Sequence, residues 1–365
     1  MPWKVTNPMD QRAHFVALHQ EGLYTMAELC ARFAVSKKTG YKWLARYQQG
    51  GLDALKDQSR AHHGVPHITA PEVQDLLLET RRAHPTWGPR KVLAALATRR
   101  PDLALPAAST VGELLARHGL TQPRPRRRRH DHPGASTLKA DAPNDVWSAD
   151  FKGQFPTGDG VLCYPLTVTD NFSRFLLGCD ALPSVKQEGA FPVFERLFAE
   201  YGLPQAVRTD NGGPFATNAL RGLSKLSVWW IKLGIAHQRI APGQPQQNGR
   251  HERMHRTLKA ETARPPAPDR PAQQTRFTGW QREFNHERPH EAIGMATPAS
   301  VYQPSPRPLP AALPAPQYAG HLLVRRVSKA GTFRLRARQL FLSDTLTEEE
   351  IALEETEDGV WSILF

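Results

Sequence analysis

The stretch Val146–Phe151 (VWSADF) decides the fold, together with the two runs that follow it, Val161–Asp170 (VLCYPLTVTD) and Ser173–Ala181 (SRFLLGCDA). All three are rich in β-branched and aromatic residues, and short turns containing Gly or Asp separate them, which is typical of β-strands. We expect the three strands to pair as an antiparallel meander.

Helices and strands alternate in the region that follows. The pattern predicts helices over Val185–Tyr201 and Leu223–Leu233, strands over Ala206–Thr209 and Ile235–Ile240, and a last helix from near Asn248 to about Ala263. This order predicts an α/β domain, whose functional side chains should lie at strand ends and helix starts.

Three carboxylates occupy such positions. Asp150 lies inside the first strand, Asp210 ends a later strand, and Glu252 falls in the first turns of the last helix. Together they could bind two hard cations, which prefer carboxylate oxygens and catalyse in-line phosphoryl displacement. Taken singly, each has an ordinary alternative: a strand residue, an Asp-Asn-Gly turn, and a helix ion pair with Arg256.

Four ordered motifs resemble the bacterial insertion-sequence transposases that share the retroviral-integrase catalytic core, over about residues 10–300. The motifs are Trp147–Gly153 (WSADFKG), Thr169–Phe175 (TDNFSRF), Arg208–Phe215 (RTDNGGPF) and Pro245–Arg253 (PQQNGRHER). The resemblance implies an RNase-H-like fold and an Asp-Asp-Glu triad at Asp150, Asp210 and Glu252, which would be both catalytic and metal-binding. It also implies two Mg²⁺ (or Mn²⁺) ions in each active site.

The surroundings of the triad leave two other acids to consider. Forty-one residues separate Asp210 from Glu252, a few more than is usual among close relatives, but the alternative Glu261 lacks an Asn-Gly context. Asp170 is expected to hold the turn before Ser173 rather than to join the site.

The helix that carries Glu252 also offers candidate DNA contacts. Asn248, Glu252, His255 and Lys259 recur at helical spacing on one face. We therefore expect His255 and Lys259 to contact phosphates next to the carboxylates, the alternative being an ordinary solvated face.

Charge is concentrated in the first part of the 365-residue chain. The net charge is +12 with a pI of about 9.8, and residues 1–140 hold 22 Lys and Arg against 11 Asp and Glu. Arg124–Lys139 contains the run Arg126, Arg127, Arg128 and Arg129. Because like charges repel, we expect this arm to follow DNA phosphates, although a solvated linker would have the same composition.

The first 120 residues contain one helical theme twice. Predicted helices over Met9–Glu21, Met26–Phe33 and Lys37–Gln48 form a helix-turn-helix, with Tyr41, Leu44 and Ala45 expected to face inward. Its basic face would contact DNA through Lys37, Lys38, Lys42 and Arg46.

A weaker second copy follows the first. It comprises Pro71–Ala83, Lys91–Arg99 and Ser109–His118, with Ser109 expected as the cap of its last helix. A plain three-helix bundle with a solvated face is the alternative for the first copy.

The chain is therefore predicted to be multidomain, with all-α helix-turn-helix N-terminal units, an α/β RNase-H-like catalytic core and a small all-β, SH3-like C-terminal domain. The predicted boundaries are 1–60 and 66–122 for the helical units, 123–143 for a basic linker, 144–302 for the core, 303–317 for a proline-rich extended spacer, and 318–365 for the β-barrel.

Several classes of protein are excluded by the same sequence. It has no apolar run of 18 residues, no apolar signal segment at its start, only three scattered cysteines, and no Gly-Lys-Ser/Thr phosphate loop. We expect a cytoplasmic protein, nucleoid-associated when bound to DNA, without a membrane or a nucleotide cofactor.

The predicted function is a DNA transposase that recognises the terminal inverted repeats of its element, cleaves DNA and transfers strands. Its partner would be double-stranded DNA, at element ends and at the target, and two ends imply a homodimer or a higher oligomer. Two alternatives remain at this stage: a catalytically silent DNA-binding repressor derived from a transposase, and a plain RNase-H-like nuclease.

Overall fold

The computed structural model describes residues 7–58, 69–121, 140–217, 220–241 and 249–365. The chain divides into two compact units, Met1–Ile68 and Thr69–Phe365, which are described separately. The arginine arm Arg126–Arg129 and Asn248 lie outside the described residues.

The first unit is a helix-turn-helix, as predicted. Helices α1 (Pro8–Gln20), α2 (Met26–Arg32) and α3 (Lys37–Gly50) pack around buried Phe15, Leu29 and Leu44, among others. A capping box starts α2, and the Ser36 side chain accepts the backbone N–H of Thr39 at the start of α3.

Close packing of α3 depends on a residue without a side chain. A Cβ on Gly40 would lie 2.9 Å from the Phe15 ring and 3.0 Å from the Cys30 sulfur. The inward positions predicted on this helix are only partly correct. Leu44 is buried, but Tyr41 is 59% exposed and Ala45 also faces solvent, because Trp43 and Tyr47 supply the other contacts.

The second unit begins with three helices, α4 (Pro71–Ala83), α5 (Pro89–Arg99) and α6 (Ala108–Arg117), which we call the helical subdomain (residues 69–121). They enclose an apolar core of their own around fully buried Trp87. Ser109 does not cap α6, since the helix begins one residue earlier and Ala107 holds the cap position without a side-chain hydrogen bond.

A mixed sheet forms the centre of the second unit. Its strands are β1 (Val146–Phe151), β2 (Phe155–Pro156), β3 (Leu162–Asp170), β4 (Leu176–Leu182), β5 (Ala206–Thr209) and β6 (Ala236–Arg239). The predicted antiparallel meander is confirmed, because β3 pairs antiparallel with both β1 and β4. β5 then pairs parallel with β1, and β6 parallel with β5.

Helices cover both faces of this sheet. The helices of the core are α7 (Gln187–Tyr201), α8 (Lys225–Lys232), α9 (Gly249–Thr262), α10 (Arg270–His286) and the short α11 (Pro298–Val301). One apolar cluster joins the sheet to α7 and α8, and a second joins it to α9 and α10. The α/β class predicted from the alternating pattern is therefore observed, in an RNase-H-like, three-layer form.

Residues 303–309 of the proline-rich segment are held against the core rather than free. The Ser305 N–H donates to the Tyr201 carbonyl at 2.7 Å, the Arg307 carbonyl accepts the Leu203 N–H at 2.7 Å, and the Arg307 guanidinium donates to the Leu233 carbonyl at 3.0 Å. The chain is extended here, as the prolines predict, but these backbone hydrogen bonds attach it to the core.

The C-terminal part consists of short strands. They are β7 (Leu323–Arg326), β8 (Thr332–Leu335), β9 (Arg338–Phe341), β10 (Glu350–Glu357) and β11 (Val360–Leu364). They form a three-stranded sheet in the order β11-β10-β7 and a β8-β9 hairpin, packed on Phe333 and Ile351. An all-β C-terminal region is observed, and the SH3-like barrel stays a prediction.

Candidate active site

Two of the three predicted carboxylates lie at the ends of neighbouring parallel strands. Ser148 of β1 is in register with Arg208 of β5. Continuing this register by two residues places Asp150 opposite Asp210, which directly follows β5. Because adjacent strands lie about 4.8 Å apart, the two side chains meet at one edge of the sheet.

Helix α9 crosses the sheet next to Asp150 and is attached to it by two buried histidines. Thr167 is the antiparallel neighbour of Asp150, and its hydroxyl oxygen lies 2.6 Å from Nε2 of both His251 and His255. The same hydroxyl donates to the Asp150 carbonyl at 3.1 Å. Since it has one proton, both imidazoles donate to it through Nε2–H.

This proton arrangement leaves an acceptor facing the carboxylate. His255 Nδ1 carries no proton in this tautomer and lies 3.7 Å from Asp150 Oδ2. Burial lowers the pKa of His251 to about 3 and the pKa of His255 further, so both rings are neutral. Ligand atoms of Asp150, His251 and His255 all lie within 4.8 Å of one another, which is a donor set that a cation can satisfy.

Glu252 completes the acidic group from the first turn of α9. Burial raises the pKa of Asp150 to about 7, and the negative charges of Asp210 and, more weakly, Glu252 raise it as well. The three carboxylates therefore interact electrostatically across two strands and a helix. Such crowding of negative charge favours either a proton or a metal ion at the site.

The position of His255 corrects a prediction. His255 is 2% exposed and faces the sheet, so it cannot present a phosphate contact on the solvent side of α9 as expected. At about 100° per residue, it lies about 60° around the helix axis from Glu252. Because the angle is small, the helical spacing predicts both residues on one face. In the structure, His255 faces the sheet and Glu252 faces solvent. Lys259 is exposed, as expected.

His251 is the site residue that sequence reasoning missed. It is buried between Thr167 and Thr169, with Nδ1 3.2 Å from the Thr169 hydroxyl. The spacing of His251 and His255, one helical turn apart directly beside an acid, was the available signal.

The two other acids have structural roles. Asp170 accepts hydrogen bonds from the N–H of Asn144 at 2.8 Å and from the N–H and hydroxyl of Ser173 at 2.7 and 2.6 Å, so it holds the predicted turn. Glu261 lies at the other end of α9, paired with Arg288 at 3.0 Å.

The basic face of α3 is open at its beginning. Lys37, Lys38 and Lys42 are exposed. Arg46 is half-buried instead: its guanidinium lies 4.9 Å from the centre of the Trp43 ring and donates to Gln58 at 2.7 Å. The predicted DNA contact through Arg46 would have to compete with these partners.

Comparison with known proteins finds matches to domain models over parts of the chain. Models of the integrase core domain match residues 140–245 and 233–298, a helix-turn-helix model matches 11–62, and a homeodomain-like model matches 39–115. An uncharacterized 39.2 kDa protein of insertion element IS476 from Xanthomonas euvesicatoria is 26% identical over 280 residues, which is 75% of this chain and 77% of that protein.

Viral proteins are also similar to the core. The Gag-Pol polyprotein of baboon endogenous virus is 32% identical over 132 residues, which is 35% of this chain and 7% of the polyprotein. A chain of the simian T-cell lymphotropic virus intasome, bound to PP2A regulatory subunit B56 gamma, aligns with 79% of this chain and 95% of its own length, at 18% identity and a TM-score of 0.40.

The mixed sheet between helical layers lies in the residues that the integrase core models match. The chain contains an integrase core domain preceded by helix-turn-helix domains, and its relatives include insertion-element proteins. Domains of these kinds imply that its partner is DNA. In the described part of the chain, none of the helices is long and apolar enough to cross a membrane.

Proposed function

We propose that this chain is a DNA transposase that binds the terminal inverted repeats of its element and catalyses metal-dependent DNA cleavage and strand transfer. The observation that supports the proposal is that Asp150 and Asp210 follow one parallel register, and that the negative charges of Asp210 and Glu252 both act on Asp150. Water would attack a phosphodiester to free a 3′-OH, and that 3′-OH would then attack the target strand.

The same three residues would hold Mg²⁺ or Mn²⁺, two ions in each site. The fit is supported by the donor set, which offers carboxylate oxygens whose mutual repulsion a cation relieves, with His255 Nδ1 beside Asp150. When bound, the ions would supply the positive charge that stabilises an in-line phosphoryl displacement.

The remaining steps fall to other residues of the chain. His251 and His255 fix α9 on Thr167, so that Glu252 is presented to the strand ends in a constant orientation. Lys37, Lys38, Lys42 and Arg46 are proposed to contact the element ends. Arg126, Arg127, Arg128, Arg129 and Lys259 would bind phosphates. Two DNA ends would require a dimer or a higher oligomer.

The test is strand transfer in vitro, using the full chain, Mg²⁺ and labelled duplex DNA with the inverted repeats that flank its element. We expect joined products that disappear with EDTA or with Asp210→Asn, while binding to the same DNA stays within about twofold. Asp141→Asn is the matched control, because Asp141 is exposed and precedes the sheet.

Two results would contradict the proposal. If Asp210→Asn joined DNA as well as the unaltered chain, the triad assignment would be wrong. Binding without joining, in Mn²⁺ as well as Mg²⁺, would instead indicate a DNA-binding repressor.

A further inference from the structure

The far end of α9 is in contact with the helical subdomain. Glu261, in the last turn of α9, accepts hydrogen bonds from Trp280 Nε1 at 2.5 Å and from Arg288 Nη1 at 3.0 and 3.1 Å. It also accepts the hydroxyl proton of Thr86, which lies in the loop between α4 and α5, 175 positions earlier in the chain. The Thr86 oxygen in turn accepts Arg288 Nη2–H at 3.1 Å, so the three side chains form a closed ring.

The loop that carries Thr86 is fixed to its own helices. The His84 ring stacks on Trp87, with ring centres 3.8 Å apart and planes 9° apart, and Trp87 is fully buried in the subdomain core. Arg81 donates to the carbonyls of Trp87 and, at 2.8 Å, Leu120. Movement of the loop therefore requires movement of the subdomain.

Other contacts at this junction are polar as well. His84 Nδ1 lies 3.0 Å from Glu283 Oε1, and Arg99 pairs with Glu287 at 3.0 Å. The apolar core of the subdomain includes no residue of the sheet or of α9 and α10. A cleft of about 580 Å³ lies beside the contact, lined from both sides. Hydrogen bonds, rather than a shared apolar core, thus hold the junction together, as in contacts between domains that can separate.

The contact reaches the candidate active site through the helix itself. Glu252 and Glu261 are nine residues apart on α9, or about 13.5 Å along a rigid rod. His251 and His255 fasten the beginning of α9 to Thr167, whereas Thr86 and Arg288 fasten its end. The direction of the helix is thereby set from both ends.

We propose that the helical subdomain positions the catalytic helix, with Thr86 and His84 acting on α9 and α10 as a docking contact. The subdomain is then more than a candidate reader of DNA, because holding it on DNA also fixes the orientation of Glu252. The effect on catalysis depends on the proposed transposase function, but the effect on α9 does not. Thr86 and His84 are positioning residues, since neither touches the reacting groups.

The experiment compares full-length Thr86→Val, His84→Phe and the double variant with the unaltered chain. Valine removes only the hydroxyl, and phenylalanine keeps the stacking on Trp87. Thr98→Val is the matched control, because the Thr98 hydroxyl bonds within its own helix, to the Ala94 carbonyl at 3.1 Å. The first measurement is hydrogen exchange of the α9 amides, which needs no activity.

We expect exchange in the last two turns of α9 to become about fivefold faster for each lost hydrogen bond, with Thr98→Val unchanged. Strand transfer should slow by a similar factor at saturating DNA, while the Kd for end DNA stays within about twofold. Thr86→Ser, which keeps the hydroxyl, should restore both.

The outcomes separate the two proposals. Unchanged exchange and unchanged strand transfer in the double variant would overturn the docking contact. Faster exchange accompanied by an equal loss of DNA affinity, or failure of Thr86→Ser to rescue, would reduce it to a merely structural role. If the unaltered chain joined no DNA at all, the transposase proposal would fail, and the exchange result would still decide whether Thr86 holds α9.

Discussion

The two glutamates of α9 have opposite surroundings. Glu252 lies beside Asp150 and Asp210, and within the described residues it makes no salt bridge. Glu261 is surrounded by donors, including the buried guanidinium of Arg288. Within the described residues, α9 therefore carries one acid without a salt bridge and another whose charge is compensated by Arg288. The contrast indicates that the first is reserved for a ligand and the second for structure.

The strongest test of this contrast removes each charge in turn. Glu252→Gln should reduce strand transfer by about 10³-fold or more, because each lost contact to the reacting centre costs several kcal/mol of transition-state stabilisation. Its thermal midpoint should stay within about 2 °C of the unaltered chain. Product formation on gels measures the loss of strand transfer, and a thermal melt of the same sample measures the midpoint. Full activity of the variant would refute the assignment of Glu252.

At the other end of α9, removing the charge should lower the stability of the chain. Glu261→Ala leaves the Arg288 guanidinium, 6% exposed, without its counter-charge, and should lower the free energy of unfolding by about 3 kcal/mol. Urea unfolding measures this loss. Glu287→Ala is the control, since its pair with Arg99 is about half exposed and contributes little. Equal stability of Glu261→Ala and Glu287→Ala would mean that the buried pair contributes no more than the exposed pair.

Removing the Asp150 carboxylate should change the free energy of unfolding in the opposite direction from removing that of Glu261. Its pKa is raised from 3.8 to about 7 in the folded chain, so the folded state binds the extra proton between these values. Stability therefore falls as pH rises from about 4 to about 7. In EDTA at pH 8, Asp150→Asn should be more stable than the unaltered chain by roughly 2 kcal/mol, and at pH 4 the difference should vanish.

The same variants also test the proposed metal site when Mg²⁺ replaces EDTA in the stability measurement. Mg²⁺ should raise the thermal midpoint of the unaltered chain and not that of Asp150→Asn, because only a bound ion shifts the folding equilibrium. Asp141→Asn should behave like the unaltered chain in both arms. An Asp150→Asn variant that is less stable than the unaltered chain in EDTA at pH 8 would contradict the raised pKa of this carboxyl.

Local pattern was sufficient for most elements of the fold. β1 and β5 begin and end where the sequence predicts, because turn residues bound each apolar run. The two-residue strand β2 was missed, since a pair of residues has no periodicity to detect. The helix α10 follows the last helix that the sequence pattern predicts, so its bounds were not predicted.

The site was predictable only as far as its residue types. Asp150 was found inside a predicted strand and Asp210 at the end of another, but their proximity depends on parallel pairing across 60 residues of chain. The partners of α9 depend on contacts that no local pattern encodes: Thr167 is 84 and 88 positions from the two histidines, and Thr86 is 175 from Glu261. His255 was misplaced because it lies at the boundary of the sheet-facing side, where helical spacing alone cannot decide.

The smallest expected effect concerns the cations of α3, where one side chain has protein partners and another extends into solvent. Lys38 is exposed and, within the described residues, forms no ion pair, whereas Arg46 is held by Gln58 and the Trp43 ring. An uncompensated ammonium is available to a DNA phosphate, so Lys38→Ala should weaken binding of end DNA several-fold and reduce the slope of log K against log salt by about 1. Arg46→Ala should change that slope less and lower the thermal midpoint more, because its guanidinium already has partners. Titrations between about 50 and 200 mM salt measure both slopes. Equal slopes for the two variants would mean that the partners of Arg46 release it on DNA, and that the contrast seen between the glutamates of α9 does not extend to this helix.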